Sequence, residues 1–305
     1  MNEITTINED NYASMAKAMG LPTPSVNTQK KASLLNRFRV WHNPTMGKKK
    51  LDGKEFNTEV VEGGLFRLEV VGDPSTFYFA EKVKIRPFMQ RFMYKRFVKN
   101  MSAKAGEPQG SYHKTVMADS LNIDLKDNQG SFNCGKPAGY VKDFKSLPIE
   151  TQDLLKQIKR VRVIFGVISL DGVTNEKGES VELQESPFIW EIDNRDAFKT
   201  MGEPFNQLAK MKRLPVQHNI MLTTEERKLP NGNSFYLPKA SLDVTNTVKL
   251  TELDQTMFTD FMAWVQNYNE YIINEWGVKS GQKITQSDMD TVDSFIDIDS
   301  AESVG

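Results

Sequence analysis

The sequence predicts an α+β, β-rich protein with a long C-terminal helix and a disordered acidic tail, and three observations carry that prediction. Apolar and polar residues alternate with period two over much of residues 34–125. One long stretch, residues 252–276, repeats apolar residues at i, i+3 and i+4. After it, residues 284–305 hold six acids and no base, a composition that buries too little apolar surface to order itself.

The elements follow in chain order. Residues 1–29 read as an N-terminal arm, with a short helix around residues 9–19 that Gly20 and Pro22-Thr23-Pro24 bring to an end. Strands are expected at residues 38–41, 65–71, 77–86 and 116–125, while the spacing of residues 88–99 fits strand and helix equally well. Residues 130–140 form a loop with three glycines and a proline. A short helix over 149–159 leads into a strand over 160–170, a turn-rich loop over 171–179 and a further strand over 181–192. Residues 194–213 suit helix and 216–227 suit strand. Pro230-Asn231-Gly232-Asn233 then signals a tight turn before a strand at 235–237. In the final helix Phe258, Phe261, Met262, Val265, Tyr268, Ile272 and Ile273 share a face, Thr251 and Asp254 make a capping box, and Gly277 stops it. The binding core is thus residues 30–280, and the acidic tail is 281–305.

With 305 residues and 39% hydrophobic side chains, the chain has enough material for a real core. No run approaches the roughly 18 apolar residues of a membrane helix, and the N-terminus has neither the basic nor the apolar region of a signal peptide. No membrane association is expected. The single cysteine, Cys134, rules out an internal disulfide and a multi-cysteine zinc site, which suits a reducing compartment such as the cytoplasm.

The formal net charge of −1 hides a segregated distribution. Setting aside the six acids of the tail leaves 39 bases against 34 acids in residues 1–283. Within that basic body, residues 30–50 carry seven bases and no acid, and residues 82–104 carry eight bases and no acid.

Catalytic signatures are weak. Gly130-Ser131-Phe132-Asn133-Cys134-Gly135-Lys136-Pro137 has the spacing of a phosphate-binding P-loop, but Pro137 replaces the hydroxyl residue that would hold magnesium and removes a backbone donor. A glycine-rich connecting loop accounts for it better. His42, His113 and His218 have no His or Cys partner at ligand spacing, so no metal or other cofactor is expected. The paired aspartates of the tail lack the fixed geometry that acid–base chemistry requires. A binding protein, not an enzyme, is the expectation.

What it would bind follows from bases interleaved with aromatics. Alternation over residues 77–86 places Tyr78, Lys82, Lys84 and Arg86 on one face and Phe77, Phe79, Val83 and Ile85 on the other. Arg37, Arg39 and Trp41 share a face opposite Phe38 and Val40. Arg91, Tyr94, Lys95 and Arg96 continue the pattern among Phe88, Phe92 and Phe97, which read as core. Tyr112 is a further stacking candidate. Cations neutralise phosphates, and flat side chains offer platforms to unpaired bases, so the pattern suits single-stranded nucleic acid better than duplex. The tail, through Asp288, Asp290, Asp293, Asp297 and Asp299, is a tethered polyanion that would occupy a cationic groove until DNA displaces it. Phe295 among these acids offers partner proteins an apolar handle.

This order of features resembles the replication single-stranded DNA-binding, or helix-destabilising, proteins of tailed bacteriophages. The likeness rests on the basic patch Lys30-Lys31-Ala32-Ser33-Leu34-Leu35 after a short arm, the basic aromatic β core and the acidic tail. It rests also on Phe165-Gly166-Val167 following Ile158-Lys159-Arg160-Val161-Arg162, and on the segment Asn231-Gly232-Asn233-Ser234-Phe235-Tyr236. The resemblance implies an OB-fold-like Greek-key barrel with added hairpins, and an arm that promotes self-association on DNA. It further implies a tail that recruits replication and recombination proteins, with roles in DNA replication, recombination and repair in the cytoplasm of the host bacterial cell. Some members of the family carry a Cys/His zinc module, which Cys134 alone does not supply. Two other readings are a virion or assembly protein with a basic docking surface, and a nucleotide-using enzyme built around residues 130–136.

Overall fold

Alternating apolar side chains and the turns between them shape the first third of the chain. The computed structural model describes residues 35–51, 54–72, 74–99, 101–102, 104, 109–121, 143–229, 232 and 234–272. The expectations for the arm (1–29), the loop holding Cys134 and the acidic tail (281–305) fall outside the described residues. The strands of the first third are β1 (Asn36–Val40), β2 (Thr45–Leu51), β3 (Lys54–Val61), β4 (Phe66–Val70), β5 (Thr76–Ala80), β6 (Lys82–Lys99) and β7 (Gly110–Lys114). Next come α1 (Ile149–Gln157), β8 (Lys159–Asp171), β9 (Thr174–Asn175), β10 (Ser186–Ile192), α2 (Arg195–Thr200) and α3 (Glu203–Lys210). The hairpin β11 (Ile220–Lys228) and β12 (Ser234–Leu242) precedes α4 (Glu252–Glu270).

The chain is an α+β protein dominated by one large mixed sheet, in the order β12-β11-β6-β8-β10-β1-β4-β5-β9, with β7 also paired to β6. β1 and β10 run parallel; the other ladders are antiparallel. β2 and β3 form a separate hairpin. The 18-residue β6 settles the ambiguous stretch 88–99 as strand. A register shift between Pro87 and Met89 lets it follow β8 throughout. Gly166 makes room for that bulge: a Cβ there would strike the carbonyl of Arg86 and the Cα of Pro87.

One face of the curled sheet encloses the core. Phe38, Phe66, Leu68, Val83, Ile85, Ile164, Phe188, Trp190, Ile220 and Leu222 converge in it, and Ala197, Met201 and Phe205 from α2 and α3 cap it. The Asn194 side chain caps α2 by accepting from the amides of Asp196 and Ala197. Arg162 braces that cap, with its guanidinium 4.6 Å from the Phe198 ring and its Nε donating to the Phe198 carbonyl. Burial pulls its pKa down to about 10. The sheet closes on itself through side chains: Thr224 Oγ1 donates to the Gly64 carbonyl at 2.6 Å, and the Tyr236 amide donates to His42 Nδ1 at 3.2 Å.

α4 covers the opposite face of β6 and β8. Phe261 meets Phe88 and Phe165, Trp264 meets Phe165, and Tyr268 donates its hydroxyl to the Thr115 carbonyl at 3.0 Å. β8 is therefore buried on both sides, which is why it reads as a continuous buried run from Val161 to Ile168. The expected capping box is present: the Thr251 hydroxyl accepts from the Asp254 amide and Asp254 accepts from the Thr251 amide. The buried stripe differs from the expected one. Trp264 lies inward, while Phe258 and Met262 stay exposed, because Asp254, Phe261, Val265 and Tyr268 set the axis of contact.

Other expectations are corrected. Residues 77–86 are two strands, because the chain bends at Glu81 between β5 and β6. β7 lies at 110–114, and the expected strand 116–125 is reduced to a bridge between Ala118 and Phe92 within its described part. Residues 194–213 form two helices that break near Gly202. The expected strand 181–192 begins only at Ser186.

Asp254 and Asp193 make the fold acid-sensitive. Burial alone would raise both pKa values, but Arg86 and Thr251 at Asp254, and Lys95 and Lys159 at Asp193, hold them below the ordinary carboxylate value. The folded chain then binds fewer protons than the unfolded one at these sites. Their contribution is complete above about pH 4 and is lost as pH falls through the folded values. Thermal melts between about pH 6 and pH 2 should show Tm dropping over that window, less steeply in Asp254→Asn.

Candidate nucleic-acid interface

The face of β1, β4 and β5 that points away from the core gathers arginines and aromatics. Register aligns Arg37 with Glu69 and Phe77, and Arg39 with Arg67 and Phe79. Between them Phe38, Leu68 and Tyr78 point into the core. Arg39 and Arg67 are directly opposed like charges, an arrangement that costs stability unless an anion sits nearby. Glu69 is the one acid in these rows, 3.7 Å from Arg37 and 3.8 Å from Arg67.

Trp41 completes the patch just beyond β1. Its backbone is held from both directions, with its amide donating to the Leu65 carbonyl and its carbonyl accepting from the Gly64 amide, each at 2.7 Å. Gly64 makes this turn with φ +90°, and its missing Cβ leaves space for the Tyr236 ring. The indole packs edge-on to Phe79 at 6.1 Å, with Arg67 4.5 Å and Arg39 5.9 Å from its centroid. Arg67 also lies 4.8 Å from the Phe77 ring.

A second basic aromatic cluster sits at the far end of β6. Phe97 faces Tyr112 across the β6–β7 ladder at 5.2 Å, and Lys95 Nζ lies 4.9 Å over the Tyr112 ring. Arg96, Phe97 and Lys99 line an open cleft together with Gln157 of α1. The two patches are separated by β10 and by β6 and β8 under α4, so the single groove expected from the sequence resolves into two surfaces.

Other expected contacts have structural roles. Arg86 is 8% exposed and paired with Asp254 at 2.7 Å. Lys95, for all its proximity to Tyr112, is buried against Asp193. Tyr94 is buried, and its amide donates to Thr115 Oγ1. Tyr78 packs on the core with Ala80, because the bend at Glu81 shifts the alternation by one residue between β5 and β6. Arg91 pairs with Asp119 at 3.0 Å beside Met262 of α4. Lys82 is exposed and Lys84 half-buried at the start of β6. Asp288, Asp290, Asp293, Phe295, Asp297 and Asp299 lie outside the described residues.

Sequence reasoning missed Arg67, Phe77 and Phe79. The alternation of Phe66 and Leu68 already turned Arg67 outward, but acids on either side kept it out of the acid-free stretches. Among the described residues no cluster of His, Cys, Asp or Glu is arranged to hold a metal ion, and no helix is long and apolar enough to cross a membrane. No protein-family model, curated protein or solved structure matches the chain.

Proposed function

We propose that this chain is a non-catalytic, sequence-tolerant single-stranded DNA-binding protein that coats strands exposed during phage DNA replication, recombination and repair. The observation that carries the reading is the outer face of β1, β4 and β5, where Arg37, Arg39 and Arg67 surround Trp41, Phe77 and Phe79. Arginines there neutralise phosphates, and the half-buried indole offers a stacking platform. Bases are accessible only in melted DNA, so binding stabilises single strands by mass action without nucleotide hydrolysis. The curled sheet, with a helical cap inserted between β10 and β11, supports an OB-fold-like core, a scaffold suited to such a surface. The tail then acts as an anionic competitor and a recruitment segment for replication and recombination proteins, and the arm as a self-association element.

A salt titration of oligo-dT against duplex of equal length tests the reading. Binding to oligo-dT should be tighter at every salt concentration and fall linearly on logarithmic axes as salt rises. Equal affinity for both at matched salt would sink it. The exposed Leu253, Phe258 and Met262 on α4 favour a second reading, an assembly protein that docks through this helix. In that case DNA leaves Trp41 fluorescence unchanged.

A further inference from the structure

We propose that the space between Trp41 and Phe77 is a nucleobase subsite, filled by the Arg67 side chain in the free protein and vacated when single-stranded DNA binds. The inference rests on the DNA-binding reading above and specifies how the surface takes up a base.

The Arg67 guanidinium lies 4.5 Å from the Trp41 centroid and 4.8 Å from the Phe77 centroid. Guanidinium and nucleobase are both planar π systems of the same thickness, and both stack on aromatic faces. A gap thick enough for the first is thick enough for the second, and while Arg67 is there a face of each ring is taken.

Arg67 is also poorly held by polar contacts. It is 7% exposed, yet its Nε is buried with no hydrogen-bond partner, and its carboxylate neighbour Glu69 stands 3.8 Å away, beyond hydrogen-bonding distance. The Trp41 indole N–H in the same patch is likewise buried without a partner. Two orphaned donors in one patch mark an arrangement that costs free energy in the free protein and that a ligand relieves. Arg39 directly opposite adds like-charge repulsion.

What holds Arg67 is chiefly the two cation–π contacts, together equivalent to roughly a five- to thirty-fold equilibrium shift. A phosphate offers the displaced guanidinium a stronger partner, a charge-assisted and bidentate one. The exchange is then balanced: a base replaces the guanidinium on the rings, and the guanidinium moves to the backbone of the same strand. Arg67 is in this sense a positioning residue, because it keeps the platforms covered until a strand carrying both base and phosphate arrives.

The test is a fluorescence titration of the full chain with oligo-dT across salt, comparing wild type, Arg67→Ala and Arg67→Lys, with Trp41→Phe to isolate the Trp41 signal. Arg67→Ala opens the subsite and loses one phosphate contact. At about 0.5 M salt, where charge contacts are screened, it should bind about five-fold tighter than wild type. Its salt slope should fall by about 0.7, and the Trp41 quench at saturation should deepen. Arg67→Lys keeps the charge without the planar group, so it should keep the wild-type slope and bind tighter throughout. Weaker Arg67→Ala binding at every salt with an unchanged quench makes Arg67 an ordinary phosphate contact and overturns the proposal. Identical binding by all three makes it structural and does the same. Should Arg67→Ala melt out before the titration, the Arg67→Lys result decides alone. A wild-type chain that fails to prefer oligo-dT over duplex defeats the DNA-binding reading itself, before Arg67 is in question.

Discussion

Replacing Asp254 with alanine should destabilise the fold by about 3–5 kcal/mol, measured by urea unfolding. Asp254 Oδ1 accepts from Arg86 Nη2 at 2.7 Å, and both side chains are about nine-tenths buried. Arg86 otherwise lies over Phe88 and reaches the Val216 carbonyl at only 3.4 Å. Removal of Asp254 therefore leaves a guanidinium in an apolar layer with no counter-charge, which dominates the cost. Oδ2 of the same carboxylate accepts from the amide and hydroxyl of Thr251, so alanine also removes the capping box, a loss of about 1 kcal/mol. Asp254→Asn should retain part of the cap and fall between wild type and alanine. The double variant Arg86→Met/Asp254→Leu should recover most of the loss, because it removes both charges and leaves apolar volume. A double variant as unstable as Asp254→Ala would show that the cost comes from helix capping and packing, not from a stranded charge. The midpoint should move without a large change in m, since the surface exposed on unfolding is nearly the same.

That ion pair also marks a boundary of what the sequence reveals. Alternation correctly set Val83 and Ile85 opposite Lys82, Lys84 and Arg86, but it carries no information on what covers the other face. α4, more than 160 residues downstream, covers it at Arg86 and converts an expected phosphate contact into a buried anchor. The capping box was legible because its two residues are three apart, and the long helix because its period is local. The β2–β3 hairpin was not legible: its residues are mostly polar and exposed, so no apolar alternation announces it. The cationic patch was half legible. Arg37 and Arg39 of β1 and Trp41 just beyond it follow one clean period. Arg67, Phe77 and Phe79 join them only through cross-strand register and the shift of alternation at Glu81.

Replacing Trp41 with alanine should weaken binding to oligo-dT by about 1–3 kcal/mol, roughly five- to 150-fold, and leave the salt slope unchanged. Stacking exchanges no counterions, so its loss shifts the whole log–log line downward without tilting it. Arg39→Ala should do the reverse, lowering the slope by about 0.7 for one lost phosphate contact and costing most at low salt. The pair of variants therefore separates the two components of the surface, which a single affinity measured at one salt concentration would merge. Trp41→Phe should recover part of the loss, because a smaller ring still presents a face. Among the described tryptophans, Trp190 is buried in the core and Trp264 on the inner side of α4, whereas Trp41 is half-buried beside the arginines. Quenching by DNA that disappears in Trp41→Phe assigns it to this indole. The backbone bonds from Trp41 to Leu65 and Gly64 do not depend on its side chain, so the Trp41→Ala fold should survive, with a modest fall in Tm from the lost Phe79 contact. If the variant melts like wild type and binds like wild type, bases do not stack on Trp41, and the outer face of β1, β4 and β5 serves another ligand.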